Sequence, residues 1–165
     1  MELQDEIFIN APQDVVYAAL NDPEILKQCI PGCEELIKVS DTELTAKVVL
    51  KVGPVKAKFG GEVTLDTQGA PNKFSLAGQG NGGVAGYAKG GADVELVEQD
   101  GGTMLNYVAK AEIGGKLAQL GSRLVVSTAK KLSKNFFENF EKVVCGEPDS
   151  DPDEKKSLWG KLVGS

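Results

Sequence analysis

A chain of 165 residues with 18 Lys and Arg against 24 Asp and Glu carries a net charge of −6. That excludes the dense basic face a nucleic-acid backbone demands, and no apolar run approaches the roughly 18 residues of a membrane span. Its 41% hydrophobic and 25% charged content is that of a globular protein, and the length suits one domain. Histidine is absent, which removes the commonest general base, the commonest metal ligand and every Ser-His or Cys-His pair.

The opening MELQDEIFIN carries acids where a signal peptide carries bases, so the expected location is cytoplasmic. Cys29, Cys33 and Cys145, an odd number, then read as free thiols. A strand is predicted from Glu2 to Ile9. In APQDVVYAALNDPEILKQC, Pro12 suits a first helical turn, and Val15, Val16, Ala19 and Leu20 repeat at helical spacing. Asp22-Pro23 breaks that helix, and Glu24 to Gln28 form a second. Pro31-Gly32 marks a turn between Cys29 and Cys33. That C-x-x-x-C spacing is neither a redox pair nor a zinc pair, so packed thiols are the first reading and gating of a nearby opening the second.

Strand patterns follow. Leu44, Ala46, Val48, Leu50 and Val52 alternate with Thr45, Lys47, Val49 and Lys51, Gly53-Pro54 turns the chain, and Val55, Ala57, Phe59, Val63 and Leu65 alternate again. GAPN is a turn, KFSLAG a strand, and ADVELVEQ and TMLNYVAKAEI form a hairpin about Asp100-Gly101-Gly102. Leu105, Tyr107, Ala109, Ala111 and Ile113 share one face, whereas Asp93 and Glu95 face solvent.

Residues 78–91, GQGNGGVAGYAKGG, contain a literal G-x-G-x-x-G at Gly78, Gly80 and Gly83. A dinucleotide fingerprint requires a helix to start within the glycines. Here the chain continues β-like, so the glycines are expected to shape a curved wall rather than hold a phosphate.

From Lys116 to Val144 the period lengthens, with Leu117, Leu120, Leu124, Thr128, Leu132, Phe136, Phe140 and Val143 on one stripe. One long helix is predicted, with Gly121 its weak point. A bent antiparallel sheet wrapping this helix is the α+β arrangement such an order supports. With aromatics at 6%, the concave side should stay partly unfilled.

CIPGCEEL, VGPVKAKFGGEV, GQGNGGVAGYAKGGADVEL and GTMLNYVAKAEIGGKLAQLGSRLV resemble the carbon monoxide dehydrogenase CoxG family, within the START and birch-allergen-like helix-grip superfamily (SRPBCC), over about Met1 to Val144. The resemblance implies a helix-grip ligand-binding domain over residues 1–146. It also implies a non-catalytic accessory role beside a molybdenum-containing carbon monoxide dehydrogenase or related hydroxylase, with recruitment to the membrane and a quinone or lipid as bound molecule. In that fold the cavity lining would comprise Leu50, Phe59, Val63, Leu76, Tyr87, Leu105, Tyr107, Ala109, Leu117, Leu120, Leu124 and Thr128. Phe136 and Phe140 would be plain core. Tyr87 and Tyr107 would offer hydroxyls to a quinone carbonyl, or simply pack. Arg123 would meet a polar head or lie exposed. No catalytic residue, metal ligand or covalent cofactor is assigned. A small cyclase or hydratase using the same cavity is the alternative.

Residues 147–165 form an acidic linker followed by KKSLWGKLVGS. Leu158, Trp159, Leu162 and Val163 share one helical side bordered by lysines, the pattern of an interfacial anchor or partner contact. Packing on its own domain is the competing reading. A peripheral position at the inner membrane face is the corresponding expectation.

Overall fold

A computed structural model describes residues 1–146; the linker and the tail residues Leu158, Trp159, Leu162 and Val163 lie outside the described residues. The elements run β1 (Glu2–Ile9), α1 (Gln13–Leu20), α2 (Pro23–Cys29), β2 (Cys33–Ser40), β3 (Glu43–Val52), β4 (Val55–Asp66), β5 (Lys73–Asn81), β6 (Tyr87–Gln99), β7 (Gly102–Gly114), α3 (Lys116–Gln119) and α4 (Ser122–Cys145). The seven strands form one curved antiparallel sheet in the order β1-β7-β6-β5-β4-β3-β2. Among the described residues no helix is long and apolar enough to cross a membrane.

Local chemistry explains the boundaries. Pro23 occupies the first turn of α2, and the Asp22 carboxylate accepts from the Glu24 amide at 2.9 Å, satisfying one of the free donors of a helix start. The strand β2 went unrecognised in the sequence. It is an edge strand with Ile37 and Val39 exposed, so its in-out alternation is weak. The glycine-rich segment contains no α-helix. β5 runs to Asn81, a single 3₁₀ turn covers Gly83–Ala85, and β6 starts at Tyr87. At Gly90 a side chain would collide with the Lys110 carbonyl on β7, so this glycine is needed for close approach of two strands in a bent sheet.

The expected single terminal helix is broken. Gly121 has φ +92°, a left-handed value that ends α3 and lets α4 begin in a new direction. The main core lies between α1, α2, the C-terminal half of α4 and the far part of the sheet. Ile9, Val16, Cys29, Leu96, Leu105 and Phe140 are almost completely buried there. Buried Thr103 donates its hydroxyl to the Ala11 carbonyl at 2.7 Å, tying β7 to the loop before α1. A smaller cluster of Val52, Phe59, Ala85 and Leu117 occupies the opposite end.

Candidate functional site: an apolar hollow beneath the sheet

Between the two clusters lies a hollow of about 440 Å³, within the size range of small-molecule pockets, roughly 300–1,000 Å³. Its wall is almost entirely carbon. β3 supplies Ala46, Val48, Leu50 and Val52, and β4 supplies Phe59 and Gly61. Gly80 of β5 and Ala88 of β6 continue the wall, Ile30 and Pro31 close it from the α2–β2 turn, and Leu117, Leu132, Ser133 and Phe136 cover it from the helices.

The register explains why space remains. Ala46 pairs with Gly61, Gly61 with Gly80, and Gly80 with Ala88. Four adjacent strands thus present only alanine or glycine along one row, and all four residues line the hollow. A Cβ at Gly80 would meet nothing nearer than the Gly60 carbonyl oxygen at 3.8 Å. Large side chains stand to either side of this row, with Phe59 and Val48 paired on one side and Leu65 and Leu76 further along the other. Close packing normally removes such voids; here the small residues preserve one.

Ser133 is the one polar side chain of the wall, and its Oγ lies 2.7 Å from the Tyr107 hydroxyl. The Tyr107 ring stacks on Phe137 with centroids 5.7 Å apart. Tyr107 itself is not part of the wall: with Ser133 it borders a separate surface groove shared with Gln4, Asp5, Ile7 and Lys130, so within the hollow Ser133 is the one hydroxyl at hand.

Of the twelve residues expected to line a cavity, Leu50, Phe59 and Leu117 contribute to its wall. Val63, Leu76 and Ala109 are half-buried at concave-side positions but farther along the sheet. Tyr87 is on the outer face, 40% exposed beside Lys89 and Gln79, because the 3₁₀ turn before β6 sets its parity opposite to Ala88. Leu105 is 1% exposed in the solid core. Tyr107 reaches the wall only through Ser133. Leu120 and Leu124 pack onto the small end cluster, and Leu124 lies over Gly53, because the break at Gly121 turns the first residues of α4 across the β3–β4 turn. Thr128 is half-buried outside the wall, and Arg123 is exposed.

Phe136 was expected to be plain core, yet it lines the hollow as well as stacking on Phe140 at 6.0 Å. Its stripe position was legible; which stretch of the stripe faced empty space depended on the row of small residues across the sheet. Ile30 and Pro31, which follow the buried Cys29, put the turn between Cys29 and Cys33 beside the hollow, where the sequence had placed it next to an opening.

The thiols are chemically quiet. Burial pushes Cys29 up to about 11, and burial likewise raises Cys33 and Cys145, so none is poised as a thiolate nucleophile at neutral pH. Among the described residues no group of three or more His, Cys, Asp or Glu side chains converges as a metal site.

The fold is shared widely. A protein of Geobacillus kaustophilus described as a conserved protein is 28% identical and superposes with a TM-score of 0.82 over 88% of this chain and 95% of that one. The Zhui aromatase/cyclase from Streptomyces is 12% identical, with a TM-score of 0.65 over 87% of this chain and 93% of that one. A STAR-related lipid transfer protein from Xanthomonas axonopodis is 20% identical, with a TM-score of 0.58 over 84% and 85%. No curated protein matches the chain. The family model for CoxG, a carbon monoxide dehydrogenase component, matches residues 6–145, from the first strand to the end of α4 and including every wall residue of the hollow. By that match, over a helix-grip fold whose sheet and terminal helix enclose the hollow, the chain belongs to the CoxG family.

Proposed function

We propose that this protein is a non-catalytic carrier of an apolar small molecule, a quinone or lipid, serving a molybdenum-containing carbon monoxide dehydrogenase-type enzyme at the membrane. The carbon-lined hollow carries this reading. Apolar ligand area buried there would gain about 25 cal/mol per Å² without charged contacts. Ser133, bonded to Tyr107 behind it, is the one wall side chain that would donate to a carbonyl of a quinone or an ester. Family membership supports the accessory role, and the shared fold of a lipid transfer protein supports the ligand class. The tail, with Trp159 among its apolar residues, would serve the membrane or the partner enzyme.

A cyclase-like reading draws on the same hydroxyl pair and on the fold shared with an aromatase/cyclase. Acid-base work needs an ionisable group poised in the pocket, and the one polar side chain of the wall is the Ser133 hydroxyl. Native mass spectrometry after gentle purification separates the two. A copurified quinone or lipid is expected; an empty protein that turns over polyketide-like substrates overturns the carrier.

A further inference from the structure

The turns that close one end of the molecule carry four cations and no carboxylate. Residues 51–56 hold Lys51 and Lys56, residues 82–86 are uncharged, and residues 114–124 hold Lys116 and Arg123. All four are exposed. These segments meet in space: Leu124 lies over Gly53, Ala85 and Leu117 pack with Val52 and Phe59, and Gly86 abuts Gly115. The opposite end has the reverse character. Its segments 10–14, 40–43, 66–73 and 98–103 carry Asp14, Asp41, Glu43, Asp66, Glu98 and Asp100 against Lys73 alone.

The basic end is arranged at a cost to the fold. Lys51 and Lys56 stand directly opposite one another in the β3–β4 register, and like charges so placed destabilise a strand pair. Nearer the middle of that hairpin, Lys47 and Lys58 are paired with Glu35 at 3.4 Å and Glu34 at 2.9 Å. Among the described residues no ion pair includes Lys51, Lys56, Lys116 or Arg123. α4 has no acid in its first turn and carries Arg123 there instead, although a helix start favours anions. Amid these cations the chain projects two apolar residues: Pro54 is exposed, and Val84 is 84% exposed on its 3₁₀ turn.

We propose that this end is a docking surface for an anionic lipid bilayer, with Val84 and Pro54 among the headgroups and Lys51, Lys56, Lys116 and Arg123 against lipid phosphates. Charge complementarity selects that occupant. A chain of net charge −6 is repelled overall by an anionic surface, and presenting this acid-free end is what lets it approach one. The docking surface belongs to the folded domain and is independent of the tail. On the carrier reading it also has a consequence for the hollow, because the cluster of Val52, Phe59, Ala85 and Leu117 that plugs the hollow would sit against the bilayer.

The test is flotation of the full-length chain with vesicles of phosphatidylcholine alone and of phosphatidylcholine mixed equally with phosphatidylglycerol. The combined variant Lys51→Glu, Lys56→Glu, Lys116→Glu, Arg123→Glu should lose association with the anionic vesicles by a factor of at least about 100, since each cation near such a surface contributes roughly fivefold. A control reversing the exposed Lys27, Lys38, Lys73 and Lys142 changes net charge equally and should lose far less. Val84→Asp alone, at a position too exposed to affect folding, should also weaken association. Equal loss in the control, no flotation of the unaltered chain, or loss only with Leu158→Ala and Trp159→Ala in the tail would each overturn the proposal. Uptake of an apolar fluorescent probe by the combined variant keeps the outcome separate from the carrier reading: a chain can fail to dock while its hollow still binds.

Discussion

Gly80→Val tests the hollow directly, because it adds a side chain where the register leaves empty space. Replacing a strand glycine removes unfolded-state freedom, a gain of about 0.5–1 kcal/mol. Burying the valine side chain against Phe59, Leu132 and Phe136 adds about 1.5 kcal/mol, and fixing its rotamer costs a few tenths. An added Cβ meets nothing nearer than the Gly60 carbonyl oxygen at 3.8 Å, so the side chain enters the hollow without a clash at its base. A net stabilisation of about 2 kcal/mol is expected, or a rise in Tm of roughly 4–8 °C for a domain of this size. Binding should change in the opposite sense. A ligand that yields the volume of three carbons loses a similar burial energy, about tenfold in Kd. Thermal unfolding followed by circular dichroism, with titration of an apolar fluorescent probe, reads both quantities. Overpacking a solid core costs about 1–3 kcal/mol, so a destabilised Gly80→Val protein would refute the hollow.

Phe140 is fully buried in the main core, and Phe140→Ala should cost about 3–5 kcal/mol in urea melts. Phe136→Ala should cost less, because that ring already borders empty space. Thr103→Val preserves shape but deprives the buried Ala11 carbonyl of its donor, an expected loss of about 1–3 kcal/mol in the same assay. For Cys29 the sign follows from proton linkage. Its folded value of about 11 stands above the ordinary 9.0, so the unfolded chain releases this proton first as pH rises. The contribution is therefore complete below pH 9 and is lost as pH climbs towards 11, by about 2–3 kcal/mol. Comparing Cys29→Ala with the unaltered chain across that window isolates it; parallel stability curves would show that Cys29 titrates normally.

Much of this molecule was written in local pattern. Alternation set β3, β4 and β7, Asp22-Pro23 split α1 from α2, and the stripe from Leu117 to Phe140 announced helix against sheet. The glycine-rich segment excluded a phosphate loop for the reason the structure displays, since no α-helix follows Gly83. Each of these properties depends on residues close together in sequence, through side-chain period and turn chemistry.

What lay beyond the sequence was register and direction. Ala46, Gly61, Gly80 and Ala88 are up to 42 positions apart, and only strand pairing lines them up as one row of missing volume. A single parity choice after the 3₁₀ turn put Tyr87 outside and Ala88 inside. The left-handed bend at Gly121 sent Leu120 and Leu124 to plug one end and left Leu132, Ser133 and Phe136 facing the hollow. Sequence determined which faces were apolar. Tertiary structure decided where those faces failed to meet, because a void is a property of the distances between elements and no single element contains it.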